Sequence, residues 1–262
     1  GLGDVYKRQN LKELNFNLWK YCMFRREKSL VLTDLPDKIR QVNTCEITNR
    51  KEYMDAERDL IMYLQKYKDA DDDKIAKAMR GEVMVRINIL RQISARGKVR
   101  DVIEFVKDFR ENGKKIILFC SLHEVVDQLK RYFPTAVSVT GRDSQDEKQR
   151  AVDAFQNNPK ADIIICSIKA AGVGLTLTAS SNVAFVEFPW TYADCCQCED
   201  RAHRIGQKDS VTCYYFLGRR TIDEKVYRII QEKKNIANAV TGSTEDIEEN
   251  IVDMVARIFD TD

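Results

Sequence analysis

The chain has 262 residues, 44% hydrophobic and 32% charged, with 43 Lys and Arg against 41 Asp and Glu for a net charge of +2. That length and apolar content suit one large domain or two small ones, while the near-balanced charge excludes bulk attraction to a polyanion and leaves only a local basic patch for nucleic acid. No apolar run is long enough to span a bilayer and no secretory leader is visible. The eight cysteines follow no framework spacing, which reads as free thiols in a reducing, intracellular setting.

Gly1–Gln9 shows no hydrophobic period. These residues are set aside as an assembly scar, and the chain is read as a piece of a longer protein. Leu11, Leu14, Leu18 and Tyr21 or Cys22 recur at helical spacing. From Thr44 to Ser94 the pattern is mostly helical, first with Tyr53, Ala56, Leu60, Ile61, Leu64 and Tyr67 on one face. Ala70–Asp73 interrupts it with three consecutive aspartates. They suggest a metal, but no turn glycine or closing glutamate of a calcium loop follows, so a solvated linker is the reading. A second helix carries Met79, Val83, Ile87 and Leu90 towards Ile93.

Near Gly97 the pattern changes to alternating helices and strands. Val99, Val102, Ile103, Val106 and Phe109 predict a helix stopped by Gly113. Lys114–Cys120 predicts a buried strand. Leu122, Val125, Val126, Leu129 and Phe133 predict a helix ended by Pro134, followed by a strand at Ala136–Val139. Ser144 and Glu147 form a capping-box pair that opens a helix through Phe155. Strands are then expected at Asp162–Cys166 and Val183–Phe188, the latter followed by a polar helix carrying Gln197, Arg201 and Arg204. A strand at Val211–Leu217 precedes a second capping-box pair, Thr221 and Glu224, and a helix with Ile222, Val226, Ile229, Ile230 and Ala237 inward. Gly242 stops that helix, and a last one carries Ile247, Ile251, Met254, Val255 and Ile258.

This alternation across short connections predicts an α/β fold, a doubly wound parallel sheet with helices on both faces. Such sheets bind ligands beyond the carboxyl ends of their strands. The loops Ser121–His123, Thr140–Arg142, Ser167–Gly174 and Pro189–Tyr192 are the expected functional edge. A strand, a glycine loop and two arginines three apart on one helical face suit a phosphate ester. No phosphate loop of the GxxxxGK[ST] type is present, and no acid pair after a strand is placed to hold magnesium. A dinucleotide-binding reading fails because no GxGxxG follows a first strand.

QCEDRAHRIGQ, with Gln197, Arg201 and Arg204, resembles motif VI of superfamily-2 helicases in its SNF2 form, and SIKAAGVGLTLT resembles SNF2 motif V. RREKSLVLTDLPDKIRQ, with Arg25 and Arg26, resembles the segment that closes the first motor lobe. The form of motif VI is most similar to the annealing-helicase (HARP/SMARCAL-like) branch. The resemblance implies a RecA-like second lobe of a DNA-dependent ATPase. It divides the chain into the lobe junction (1–43), a helical connector (44–96), the lobe proper (97–240) and a C-terminal helix (241–262).

The resemblance also assigns residues. Arg204 first, and Arg201, become arginine fingers, worth on the order of 10³–10⁵ in rate or roughly 4–7 kcal/mol. Gln197, Gly172 and Gly174 would serve the nucleotide. Ser167, Lys169, Thr176, Gly141, Arg142 and Trp190 would meet DNA, largely through phosphates. Gln149 or Arg150 is a weaker phosphate candidate. Each has an ordinary alternative: exposed arginines in surface ion pairs with Glu199 or Asp200, glycines in a turn, a packed Trp190. Where the family reads an acid and then W-N-P, this chain has Thr191 and Tyr192 after Trp190, so the local turn stays open. Cys195, Cys196 and Cys198 are spaced towards different faces and lack a second pair, so zinc is not expected. His203 reads as structural.

The cofactors implied are ATP and Mg2+, held mainly by a first lobe this chain lacks, so the chain alone is expected not to hydrolyse ATP. The partners implied are double-stranded or forked DNA and the first ATPase lobe in the same polypeptide, with no membrane. The alternative is a non-catalytic DNA-binding module that keeps the fold.

Overall fold

The computed structural model describes residues 35–68, 73–171 and 174–237, together with 252, 255, 256 and 259. In chain order the elements are β1 (Lys38–Cys45), α1 (Arg50–Lys68), α2 (Asp73–Glu111), β2 (Ile116–Phe119), α3 (His123–Tyr132), β3 (Val137–Val139), α4 (Gln145–Asn157), β4 (Ile163–Cys166), α5 (Ile168–Ala171), β5 (Asn182–Phe185), α6 (Tyr192–Glu199), β6 (Val211–Gly218) and α7 (Ile222–Ala237). The strands form one sheet in the order β1-β6-β5-β2-β4-β3, every neighbouring pair parallel. The doubly wound parallel sheet expected from the sequence is the fold.

β2 and β4 are apolar and buried at every position, as strands covered on both faces must be. Successive side chains point to opposite faces, and the core divides accordingly. Ile116, Leu118, Ile163 and Ile165 join Val99, Val102 and Val106 of α2 and Val125, Val126 and Leu129 of α3. Ile117, Phe119, Ile164 and Cys166 join Phe155 of α4 and Val226, Ile229 and Ile230 of α7. The same second layer takes in the α1–α2 hairpin through Tyr53, Leu60, Leu64, Val83, Ile87 and Leu90. Ile61, expected on that inward face, is exposed.

Local chemistry sets several boundaries as expected. Ser144 and Glu147 close a reciprocal capping box on α4. Gly113, at φ +66°, ends α2 with Gly113 N donating to Arg110 O and Lys114 N to Phe109 O, the paired bonds of a glycine-terminated helix.

Four expectations are corrected. Lys38–Cys45 is an edge strand paired along its length with β6, where no strand was expected. Its alternation is masked because this edge strand is uncovered on parts of both faces, with Ile39 and Val42 exposed on opposite sides. α2 runs unbroken from Asp73 to Glu111, through the boundary expected at Gly97. Gly97 is there for close approach: a Cβ on it would lie 2.2 Å from Asn49 Oδ1 and 2.7 Å from Ile47 Cβ. Ile168–Ala171 makes one helical turn where a loop was expected. Thr221 caps α7 through Asp223 N, but Glu224 accepts from Arg220 N, so no reciprocal box forms. The Thr221 hydroxyl is already donating to Gly218 O at 2.7 Å.

Lys98, on α2, is almost fully buried. Its ammonium donates to Val186 O, Phe216 O and Asp223 Oδ2 at 2.7, 2.8 and 2.6 Å. Asp223 also accepts from Ser94 Oγ and Gly218 N, so both charges are fully partnered. The pattern from Leu11 to Cys22, Arg25 and Arg26, Ala70–Asp72, Gly172 and Gly242 lie outside the described residues. Of the last expected helix, Val255 is helical and buried, as is Val252.

Candidate functional site

Thr191 caps α6, its hydroxyl accepting from Asp194 N at 3.1 Å. The helix ends at Glu199, earlier than the pattern of Gln197, Arg201 and Arg204 predicted. The reason is competition for carbonyls. Arg201 O accepts from Leu177 N at 2.9 Å, and Arg204 N turns back to Ala202 O at 3.0 Å. Gly206, at φ +100°, then turns the chain in a conformation that a side chain would strain. Both arginines therefore stand on a tight turn, with Gln197 exposed on the helix before them.

The turn is held by Gln207, whose role the sequence reading did not assign. Its amide donates to Ser180 O at 2.9 Å and Ala202 O at 3.2 Å, and its oxygen accepts from Lys208 N and Asp209 N. The RIGQ ending is thus a turn glycine followed by a buried staple.

Arg204 Nη1 donates to Gly174 O, Leu175 O and Thr176 Oγ1 at 3.1, 3.1 and 3.2 Å. This joins the motif VI-like turn to the motif V-like loop. Gly174 has φ +67° with open space where a Cβ would stand, so backbone conformation is what requires glycine there. Arg201 differs. It is 8% exposed, its Nε has no hydrogen-bond partner, and no ion pair to it forms among the described residues. Burial, and next the neighbouring Arg204 charge, pull its pKa below the usual guanidinium value. A buried cation without a counter-charge is costly, and an anion at this turn would remove that cost.

The remaining candidates lie beyond the carboxyl ends of the strands. After β4, the buried Ser167 hydroxyl accepts from Ala170 N at 3.2 Å, and Lys169 is exposed. After β3, Gly141 and Arg142 are exposed, and Arg142 forks onto Asp127 of α3 at 2.7 and 3.2 Å. After β5, Trp190 is half-buried against the core, with the Arg91 guanidinium 4.1 Å from its ring centroid. Gln149 and Arg150 are exposed on α4, Gln149 donating to Asp153 at 2.9 Å. The acid that precedes Trp190, Glu187, accepts from both Ser121 N and Leu122 N at 2.7 Å. It caps α3, which has no side-chain cap of its own, and ties two of these loops together. The structure thus brings Arg201, Arg204, Gly174 and Thr176 into one group. It places Ser167, Lys169, Gly141, Arg142 and Trp190 in another, along the strand ends.

Cys195 and Cys198 are buried and Cys196 half-buried, all as free thiols; burial pushes the Cys198 thiol up to about 12. His203 Nε2 lies 2.7 Å from Pro36 O. Among the described residues no three His, Cys, Asp or Glu gather as they would around a metal ion, and no helix is long and apolar enough to cross a membrane.

A six-stranded parallel sheet carrying this arginine turn against a glycine loop defines a RecA-like lobe of the helicase kind. Residues 97–206 match the helicase conserved C-terminal domain. The chain is 31% identical over 237 residues to the SWI/SNF-related matrix-associated actin-dependent regulator of chromatin subfamily A-like protein 1 of Xenopus tropicalis, covering 88% of this chain and 24% of that protein. It is 31% identical over 251 residues to the human DNA annealing helicase and endonuclease ZRANB3, covering 92% and 22%. Among solved structures it resembles the C-terminal part of the Fun30 ATPase domain, with a TM-score of 0.63, 16% identity, and coverage of 83% and 98%. It also resembles the Sulfolobus solfataricus SWI2/SNF2 ATPase core in complex with double-stranded DNA, with a TM-score of 0.61, 22% identity, and coverage of 86% and 50%. Residues 97–206 are thus a helicase C-terminal domain on a RecA-like fold, and SNF2-type proteins, annealing helicases among them, are what the chain is similar to. It spans about a quarter of the length of the curated relatives it matches.

Proposed function

We propose that this chain is the second motor lobe of an SNF2-type, DNA-dependent ATPase, a translocase or annealing helicase, working with a first ATPase lobe in the same polypeptide. The observation that carries the reading is Arg201, a largely buried arginine whose Nε has no hydrogen-bond partner, beside Arg204. Two cations that repel each other in the absence of a ligand fit the phosphate end of a nucleotide. ATP, when bound, supplies the phosphoanhydride bond whose cleavage drives the cycle. This chain's residues hold and orient. Arg201 neutralises charge on the phosphates. Arg204 keeps Nη1 on the Gly174–Thr176 loop, leaving Nε and Nη2 outside those bonds. In this reading it passes nucleotide contact on to that loop, with Gln197 and Gly172 completing the nucleotide side. Magnesium belongs with the first lobe. Ser167, Lys169, Thr176, Gly141, Arg142 and Trp190 are the proposed DNA contacts. For Arg142 this means exchanging Asp127 for a phosphate, which the exposure of both groups makes cheap.

DNA-stimulated ATP turnover tests the proposal, measured on the protein that includes the first lobe and on this chain alone. Turnover in the first and none in the second is the expected result. No turnover in either, with DNA still bound, identifies instead a non-catalytic binding module.

A further inference from the structure

The edge strand that the sequence reading missed is fastened to the arginine turn as well as to β6. Arg40 forks onto Glu199, Nε to Oε1 and Nη2 to Oε2, each at 2.7 Å. Lys38 Nζ lies 2.9 Å from Glu199 Oε2 and 3.3 Å from Asp200 Oδ1. The Tyr215 hydroxyl donates to Glu199 Oε1 at 2.9 Å. The Arg40 guanidinium also lies 5.3 Å from the Tyr192 ring centroid, and Pro36 O meets His203 Nε2. Contact with the Pro36–Arg40 segment therefore runs from the first residue of α6 to the neighbour of Arg204.

The Glu199 side chain has no solvent exposure. Burial alone would raise its carboxyl pKa, but Arg40 and Lys38 outweigh burial and hold it below the usual carboxylate range. A two-pronged guanidinium bond fixes orientation as well as distance. The same residue's carbonyl accepts from Ala202 N and His203 N, both at 3.1 Å. The carboxylate gripped by β1 and the carbonyl from which the arginine turn hangs thus belong to one residue.

We propose that Glu199 is a positioning residue for Arg201 and Arg204, through which the Pro36–Arg40 segment sets where the two guanidiniums stand. The proposal rests on the ATPase reading above for its functional meaning. The segment lies within residues 1–43, which the SNF2 resemblance places at the lobe junction. A displacement there moves the arginines through three charge-assisted contacts on Glu199 and that residue's carbonyl.

Amide hydrogen exchange on this chain tests the linkage without any activity. Arg40→Met accelerates exchange at residues 201–207 by about tenfold or more while the β2 and β4 amides are unchanged, and Arg40→Lys gives an intermediate effect. No change at 201–207, or equal acceleration in β2 and β4, overturns the proposal, since the latter is only a loss of global stability. In the protein that includes the first lobe, Glu199→Gln lowers kcat for DNA-stimulated ATP hydrolysis by roughly 10–100-fold with KM for ATP nearly unchanged. Wild-type kcat in that variant also overturns it. If the parent protein itself shows no turnover, the ATPase reading fails, and the exchange result alone decides whether Glu199 positions the turn.

Discussion

Lys98 and Arg201 are both buried cations, and the fold treats them in opposite ways. Lys98 donates to two carbonyls and a buried aspartate that is itself bonded by Ser94 and Gly218. Arg201, 8% exposed, has an unpartnered Nε and lies beside a like charge, Arg204. The first arrangement is finished and joins α2, β5, β6 and α7. The second is incomplete, and an anion would complete it. A buried charge alone indicates neither structure nor function; whether its partners are present separates the two.

The comparison breaks first at Arg204. Its replacement, Arg204→Ala, in the protein that includes the first lobe, should lower turnover by on the order of 10³-fold or more, with ATP binding largely kept. Turnover near wild type would remove Arg204 from the site. The Lys98 side breaks next. Lys98→Met leaves Asp223 buried and uncompensated, so urea unfolding should show a loss of about 3–5 kcal/mol. An unchanged midpoint would mean that the Lys98 network is not the structural counterpart described.

A third, smaller effect concerns pH. Glu199 has its carboxyl pKa lowered in the folded chain, so its contribution is fully present above the unfolded glutamate value of about 4.3 and is lost as pH falls through the lower folded value. Stability measured from pH 6 downward should therefore fall with acid, and Glu199→Gln should flatten that limb. Parallel limbs in the two proteins would contradict the assignment. The smallest effect belongs to the loop on which Arg204 rests. Gly174→Ala, at φ +67° with open space around it, should cost about 1–2 kcal/mol of stability through backbone strain alone; a cost near zero would show that the loop readjusts.

Much of this was legible in the sequence because local patterns and tertiary environment agree. β2 and β4 read as buried strands because every residue in them is apolar, and α4 announced itself with Ser144 and Glu147. The failures share a cause, which is that long-range partners decided the local structure. β1 carries exposed residues on both faces and is held by Val211–Gly218, far along the chain. Gly97 looked like a boundary until Ile47 and Asn49 showed it to be a close approach. The helix stops short of the arginine pattern because Arg201 N and Ala202 N bond three residues back and Leu177 then takes the carbonyl of Arg201. In the candidate site, the arginines and the glycine loop stood out through their resemblance to motifs VI and V, not through spacing alone. Glu187, Glu199 and Gln207 did not, because each acts through groups distant in sequence. The signal available was the position of two of them, within the same motif as the arginines.

The most direct measurement pairs stability with turnover for Arg201→Ala. The account predicts that urea unfolding of this chain changes by less than about 1 kcal/mol, because the residue removed is an uncompensated buried charge. In the protein that includes the first lobe, it predicts that DNA-stimulated ATP hydrolysis falls by on the order of 10³-fold or more. A variant that unfolds several kcal/mol earlier and yet turns over ATP like the wild type would contradict it, placing Arg201 with Lys98 among the structural cations.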